Sequence, residues 1–241
     1  ELRDLCAANG ISQRRFEERS DEVAAIEVFM STITDVAVHM QHFASLRHLA
    51  IMLAPNVRSL EGLSACAQLE TLYVTECGLE ALGASLQGCA RLHTLDLSGN
   101  KLSTVEGCLG GSARLRLLKA CDNRLRDMRG LAGLTELRAL WLCRNRLSAI
   151  SAETGCLEEL HLADNPISSF GSLQAARSLT KLQALTLRDP HFGDNPVCSR
   201  PHYETYAIGH LAQLRALDGL TISPHARAHA TAVLCKKRLF Y

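Results

Sequence analysis

Histidines and cysteines are the residues of this chain whose spacing first suggests chemistry, because both types bind metals and both act in catalysis. Two histidine groups are candidates for metal ligands: His39, His42 and His48, and, at helical spacing, His225 and His229. Neither group has a cysteine or a carboxylate at a matching ligand spacing, so the sequence predicts no metal site. Cys198 lies shortly before His202, but a proline separates them and no orienting residue follows, which favours a structural role.

Motifs of catalysis and cofactor binding are missing from the sequence as well. It contains no glycine-rich phosphate loop, no nucleophile elbow and no HExxH zinc motif. We therefore predict that the protein is not an enzyme, has no catalytic residues, and needs no cofactor and no small-molecule substrate.

A leucine phrase, Leu-x-x-Leu-x-Leu followed by asparagine, recurs about every 22 residues and accounts for most of the chain. The clearest copies run over 92–100, 115–123, 137–145 and 157–165. Weaker copies begin at Val23, Leu46, Leu69 and Leu182, with Ser31, Ala54, Cys77 and Pro190 in the asparagine place. This pattern is the leucine-rich repeat.

The repeat pattern predicts the fold class and the domain organisation. We expect an α/β fold, a right-handed leucine-rich repeat solenoid with a parallel concave β-sheet, short helices on the convex side and a cap at each end. The expected parts are an N-terminal helical cap (1–22), the repeats (23–194), a C-terminal cap (195–222) and the start of a helix or linker (223–241). Because the sequence begins at Glu1 without methionine, we expect a piece of a longer protein.

The asparagines of the repeats are predicted to be structural. Asn100, Asn123, Asn145 and Asn165 follow the strands, where a side-chain amide can satisfy backbone groups freed by the turn. Ala54 and Pro190 cannot form such bonds through a side chain, so this ladder is expected to fade toward both ends. We expect Asn123→Ala to cost about 1 to 3 kcal/mol, and the outward Ser98→Ala at most about 0.5 kcal/mol.

Residues between the inward leucines are expected to point out of the concave face, because side chains alternate along a strand. The central outward column is predicted to read Glu27, Ala50, Tyr73, Asp96, Lys119, Trp141, His161 and Thr186. From the outward positions we predict a partner-binding set of Tyr73, Asp96, Lys119, Trp141, His161 and Arg188. Trp141, the single tryptophan, is its main anchor, since few aromatic residues dominate most interfaces.

Two further points on this face remain open at the level of sequence. Trp141 has the alternative of packing against neighbouring strand residues or a cap. The small residues Ala139, Cys143 and Ala163 around it would leave room for an inserted helix or peptide.

Composition limits the partners and the compartment. The 241 residues include 26 basic and 25 acidic ones, a net charge of +1, so no global field favours nucleic acid or a membrane surface. The basic run at 236–238 is expected to be a solvated helix face. Of ten cysteines, seven replace repeat residues and none forms a C-x-x-C motif, which favours reduced thiols and a cytoplasmic location. No apolar run approaches a membrane span.

Three phrases outside the repeats, at 5–12, 187–198 and 236–241, resemble the leucine-rich-repeat-containing protein nine family, and the repeats themselves are similar to the Sds twenty-two type. This resemblance implies a large non-enzymatic scaffold of the cilium or flagellum axoneme with axonemal or cytoskeletal protein partners. Two alternatives stay open. One is a phosphatase regulator, which needs an acidic and aromatic concave face. The other is a ribonucleoprotein-particle adaptor, which a clustered basic face would favour; none is visible in the sequence.

Overall fold

The structure is a computed structural model that describes the backbone of residues 2–239 and the side chains of residues 2–236. Within these residues, one ten-stranded sheet runs in chain order, with every pair of neighbours parallel except the last. Its strands are β1 (Ala25–Phe29), β2 (His48–Met52), β3 (Thr71–Thr75), β4 (Thr94–Asp96), β5 (Leu117–Lys119), β6 (Ala139–Trp141), β7 (Glu159–His161), β8 (Ala184–Thr186), β11 (Ala216–Leu217) and the antiparallel β12 (Leu220–Thr221). A separate hairpin, β9 (Arg188–Asp189) and β10 (Gly193–Asp194), interrupts this order after β8. The predicted leucine-rich repeat solenoid is confirmed.

Inward leucines form the core. Leu72, Leu95, Leu118 and Leu140 align in register on adjacent strands, and all four are fully buried. Burial of one such side chain contributes about 1.5 to 3 kcal/mol. The period of the phrase therefore fixes both the register of the sheet and the position of the core.

The convex side differs from the expectation of short helices throughout. Helical turns occur toward the two ends, at α3 (Val36–His39) and in 3₁₀ segments at Met40–His42, Leu63–Ala65 and Gly171–Ser178. Between β3 and β7, the described return segments consist of short turns and irregular backbone. Close packing is one reason: a Cβ on Gly88 would lie 1.8 Å from the carbonyl oxygen of Ser64, and one on Gly111 would lie 2.1 Å from that of Gln87. Glycine at this position lets consecutive turns stack.

Helices lie at both ends of the array. At the N-terminus are α1 (Leu2–Ala8), α2 (Gln13–Arg19) and a 3₁₀ turn (Ser20–Glu22). Gly10, shortly after the end of α1, has a left-handed backbone conformation, which is common where a helix ends. At the C-terminus are a 3₁₀ turn (Pro196–Ser199), α4 (Tyr203–His210) and α5 (Pro224–Leu239). The Ser223 hydroxyl caps α5 by accepting from the backbone N–H of Ala226 at 3.1 Å, as its Ser-Pro start predicted. Phe240 and Tyr241, part of the predicted helix and of the basic terminal phrase, lie outside the described residues.

Each ladder asparagine joins two repeats. The Asn123 amide nitrogen donates to the carbonyl oxygens of Leu97 at 2.9 Å and Ala120 at 3.3 Å, and its oxygen accepts from Leu102 N–H at 2.9 Å. The other asparagines repeat this arrangement one turn apart, at Asn100, Asn145 and Asn165. Cys77 substitutes with a thiol that lies 3.6 Å from the carbonyl oxygen of Ile51.

The sequence interpretation expected the asparagine ladder to fade at Pro190, but the structure continues it. Asn195 takes the next rung: its amide nitrogen donates to Leu162 and Leu187 carbonyl oxygens, both at 2.7 Å, and its oxygen accepts from Ile167 N–H at 3.2 Å. The β9–β10 hairpin inserts residues between β8 and this rung. A fixed repeat length therefore predicts the ladder position at Pro190, whereas the residue that occupies it, Asn195, lies after the hairpin.

Candidate protein-binding surface

Strand register places the predicted central residues side by side. Tyr73 pairs with Asp96, Asp96 with Lys119, Lys119 with Trp141, and Trp141 with His161. All five side chains lie at least partly in solvent, because the leucines between them turn inward. We call these five residues the central column. The predicted juxtaposition of five of the six site residues is therefore present.

Trp141 is the centre of an aromatic and cationic stack. Its ring centroid lies 4.3 Å from that of His161, and the Lys119 ammonium lies 4.6 Å from the Trp141 ring centroid. An ammonium over an indole face is attracted by the negative face of the ring. Trp141 thus packs against its strand neighbours, as the alternative interpretation expected, and is half-buried, so that part of its ring remains in solvent.

The room expected beside Trp141 is filled by the chain itself. Cys121, Cys143 and Ala163 form a small buried cluster, covered by Trp141 and by Phe192 from the β9–β10 hairpin. Cys143 and Ala163 are therefore unavailable to an inserted helix, contrary to the sequence interpretation, while Ala139 remains half-buried.

Arg144 holds the covering hairpin in place. Its guanidinium donates to the His191 carbonyl oxygen at 2.9 Å and to that of Phe192 at 3.3 Å, and it lies 5.4 Å from the Phe192 ring centroid. Asp122 and Asp164 flank the same guanidinium, each at 3.7 Å. These contacts tie the loop of the hairpin to the segment that follows β6.

His161 is held in its neutral form by its surroundings. Burial lowers the pKa of its imidazole below the ordinary value of 6.5, and the nearby Glu159 carboxylate, 3.8 Å away, opposes this shift only in part. At neutral pH the stack with Trp141 therefore carries the single positive charge of Lys119.

Arg188 lies outside the central column. It belongs to β9, and its guanidinium pairs with Glu204 at 3.0 Å and approaches Asp218 at 3.7 Å. The fixed repeat spacing predicted Arg188 on the same strand as Thr186, two residues further along. In the structure β8 ends at Thr186, and Arg188 is the first residue of β9 in the hairpin. Its contacts here are with α4, through Glu204, and with the turn between β11 and β12, through Asp218.

A basic cluster that the sequence interpretation missed lies at the amino ends of β4 and β5. Arg91, His93, Arg114 and Arg116 line a shallow cleft of about 250 Å³ together with Glu70. Arg116 pairs with Glu136 at 3.2 Å, while Arg91 and Arg114 are exposed. The signal was present, since basic residues occupy two equivalent positions in consecutive repeats, but an overall net charge near zero conceals it.

The histidine groups show no metal-ligand geometry in the described part of the chain, where no three His, Cys, Asp or Glu side chains converge on one point. His42 packs its ring edge-on against Phe16 at 5.9 Å. No helix within residues 2–239 has the length and apolar character to cross a membrane.

Comparison with known proteins identifies the family. Residues 82–239 match the leucine-rich repeat family. The chain belongs to the leucine-rich repeat family. Members of this family stack short repeats into extended surfaces that commonly bind other proteins.

Relatives of this leucine-rich repeat chain include U2 small nuclear ribonucleoprotein A' of Homo sapiens and Mus musculus, each 30% identical over 117 residues. The match covers 47% of the chain and 44% of the relative, so the chain spans less than half of these proteins.

Solved structures with the same fold include a chain of the Drosophila melanogaster SNF/U2A' complex, with 30% identity, a TM-score of 0.52, and coverage of 57% of this chain and 78% of that one. The TLR13–ssRNA13 complex is similar in fold alone, with 20% identity and a TM-score of 0.65 over 90% of this chain and 30% of that one.

Proposed function

We propose that this chain is a non-enzymatic scaffold that binds a partner protein through the concave face, with Trp141 as the main anchor. The observation that carries the proposal is the alignment of Tyr73, Asp96, Lys119, Trp141 and His161 across five consecutive strands. Interfaces commonly depend on a few aromatic anchors surrounded by polar groups. The Trp141 stack supplies such an anchor, and Asp96 and Lys119 supply adjacent charges of opposite sign.

Quantitative capture on immobilised chain tests this proposal. Trp141→Ala is expected to weaken a specific partner by about 2 kcal/mol or more, whereas Tyr206→Ala, an aromatic change near the C-terminal end, is expected to leave it bound. Because Trp141 also packs on His161, the variant is expected to lose about 1 kcal/mol of stability, which unfolding in urea measures. If a folded Trp141→Ala protein retains every partner, the concave-face assignment is wrong.

The charged pair permits a second comparison. Lys119→Glu is expected to slow association with an acidic partner and to change its salt dependence. Lys101→Glu, an exposed lysine on the turn after Asn100, is the matched control. Equal effects of the two changes would indicate a general charge effect without a specific contact.

Within this function we propose an axonemal location, supported by the resemblance of the three non-repeat phrases to leucine-rich-repeat-containing protein nine. In ciliated cells, the tagged full-length protein is then expected in the axoneme that remains after detergent extraction. A purely nuclear signal would contradict this location.

The second candidate is a ribonucleoprotein-particle adaptor, favoured by the likeness to U2 small nuclear ribonucleoprotein A' and by the basic cluster. A phosphate backbone would fit Arg91 and Arg114, and its binding would weaken steeply with salt. Electrophoretic titration with a labelled RNA hairpin tests it. If the chain is such an adaptor, the double variant Arg91→Ser with Arg114→Ser is expected to lower the affinity for RNA. Arg58→Ser, a change at an exposed arginine of an earlier repeat, is the control and is expected to leave that affinity unchanged.

A further inference from the structure

An apolar patch lies exposed around the carboxyl ends of the first two strands and the middle of the third. Its main members keep a large part of their surface in solvent: Phe29 (60%), Met30 (71%), Leu53 (36%) and Tyr73 (39%). Among the described residues, Val38 and Leu220 are the other large apolar side chains exposed to this degree. We call Phe29, Met30, Leu53 and Tyr73 the N-terminal apolar patch. Clustered exposure of this kind marks interaction sites, whereas scattered apolar residues do not.

Register brings the members of the patch together. Phe29 pairs with Met52 across β1 and β2, and Met52 pairs with Thr75 across β2 and β3. Met30 N–H donates to the Met52 carbonyl oxygen at 3.0 Å, and Leu53 N–H donates to that of Thr75 at 3.1 Å. Since neighbouring strands lie about 4.8 Å apart, the patch spans a strip about 10 Å wide.

The fold does not require apolar residues at these positions. Met30 and Leu53 have positive φ angles of 49° and 54°, a conformation that glycine and asparagine adopt more easily. Equivalent positions in the next repeats carry Glu76, Gly99 and Asp122. Because the side chains of Met30 and Leu53 are exposed, burial within the chain does not account for them.

Three carboxylates border the patch. Glu27 precedes Phe29 on the same face of β1, and Glu76 follows β3. Asp96 is in register with Tyr73 on one side and with Lys119 on the other. Within the described side chains, none of these three carboxylates forms an ion pair. The surroundings of the patch are therefore acidic, although the chain as a whole is close to neutral.

Strand addition at this end of the sheet is blocked. The Asn9 side-chain amide donates to the Glu27 carbonyl oxygen at 2.8 Å and accepts from Glu27 N–H at 2.7 Å. Glu27 is the middle residue of the edge strand β1, and an added strand would have to displace Asn9 from it. The face of the sheet is the surface left open to a partner at this end.

We propose that the N-terminal apolar patch binds the apolar side of an amphipathic helix with basic flanking residues, supplied by the partner protein. A helix with its side chains is about 10 Å in diameter, which matches the width of the strip, and its basic flanks would face Glu27, Glu76 and Asp96. The inference rests on the proposed protein-binding function and names the chemistry of the partner at the N-terminal part of the concave face.

Two fluorescein-labelled helical peptides test the inference by anisotropy titration. Both carry the same leucine face, and they differ in having lysine or glutamate flanks. The whole chain is expected to bind the lysine peptide more tightly by about tenfold or more, equal to about 1.4 kcal/mol. The double variant Phe29→Ser with Leu53→Ser is expected to bind the lysine peptide about tenfold more weakly. Leu220→Ser, a change at an exposed apolar residue at the far end of the array (72%), is expected to leave this binding unchanged.

A charge variant covers the case in which the double variant does not fold. Glu76→Gln is expected to reduce the preference for the lysine peptide, and the exposed Glu80→Gln serves as its control. Three results overturn the inference: no binding of the lysine peptide, equal binding of both peptides, or equal effects of a patch change and its control. A concentration-dependent dimer that the double variant abolishes also overturns it, since a second copy would then cover the patch.

The same variants separate this inference from the proposed function. If Trp141→Ala abolishes capture of the partner protein while Phe29→Ser with Leu53→Ser has no effect on either peptide or partner, the concave-face scaffold stands and only the patch assignment fails. If neither change affects the partner, both proposals fail.

Discussion

The side chain of Asn9 pairs with the backbone of Glu27 through one donated and one accepted hydrogen bond, at 2.8 Å and 2.7 Å. The same amide nitrogen also donates to the Leu5 carbonyl oxygen of α1 at 3.0 Å. One residue of the N-terminal cap thus satisfies the middle residue of the edge strand β1 and joins it to the helix that precedes the sheet.

We expect Asn9→Ala to lower the free energy of unfolding by about 1 to 3 kcal/mol, because it frees two backbone groups of β1. It should also promote self-association through the open edge. Urea unfolding and sedimentation velocity at several concentrations measure the two effects. Asn56→Ala, which removes a single exposed bond to the Thr32 carbonyl oxygen, is the control. Unchanged stability and association would show that Asn9 does not protect the edge.

The extended ladder gives a second prediction. Asn195→Ala is expected to cost about 1 to 3 kcal/mol, as much as Asn123→Ala, because both leave buried backbone groups without partners. Pro190→Ala, at the position where a fixed repeat spacing would put the rung, is expected to change stability by at most about 0.5 kcal/mol. Urea unfolding compares the three proteins. A larger loss for Pro190→Ala than for Asn195→Ala would contradict the observed register.

Ser98 forms a contact that the alternation of the strand did not predict. Its hydroxyl accepts from Cys121 N–H at 3.2 Å, so it joins two repeats from the outward side. Ser98→Ala is therefore expected to cost about 0.5 to 1.5 kcal/mol, which is less than the loss from the more extensively bonded Asn123.

The sequence predicts the fold well because leucine spacing alone sets strand register, and that register brings Tyr73, Asp96, Lys119 and Trp141 together. What it could not predict arises from contacts between distant segments. Phe192 covers Cys143 through a hairpin that follows much later in the chain, and the same insertion displaces the rung to Asn195. Global charge likewise gave no indication of the local cluster around Arg91 and Arg114.

Protonation of His161 gives a third prediction. Burial lowers the pKa of His161 below 6.5, so the folded protein binds this proton less readily than the unfolded chain does. The contribution of neutral His161 to the free energy of unfolding is therefore fully present above pH 6.5 and is lost as the pH falls through the folded pKa. Emission of Trp141, which stacks on His161, is expected to titrate with a midpoint below 6.5. His161→Gln should abolish that titration. A midpoint at or above 6.5 would contradict the assigned environment.

Thiol reactivity gives a fourth prediction. All ten cysteines are free, and denatured protein should therefore yield ten thiols. In the native protein at pH 8, the exposed Cys235 is expected to react first, because burial raises the pKa of Cys66 to about 11 and that of Cys89 to about 12.

Arg144→Ala extends this test to the covering hairpin. Loss of the bonds to His191 and Phe192 should expose Cys143 and accelerate its modification, as measured by mass spectrometry of labelled peptides. Arg146→Ala, on the turn after Asn145, is the control. If both variants label Cys143 at the wild-type rate, Arg144 does not hold the hairpin closed.

The asparagine ladder also determines how the array would respond to mechanical tension along its length. Repeats from Asn100 onward are linked by side-chain amides, whereas Ala54 supplies no such link and Cys77 only a weaker thiol contact. Backbone pairing has the opposite distribution, with five register pairs at the β1–β2 and β2–β3 junctions and three at each junction from β3 to β8. A pull along the array would therefore load mainly strand pairing beside the apolar patch and mainly side-chain amides beside Trp141, so the two proposed binding surfaces lie on parts of the array that resist tension through different bonds.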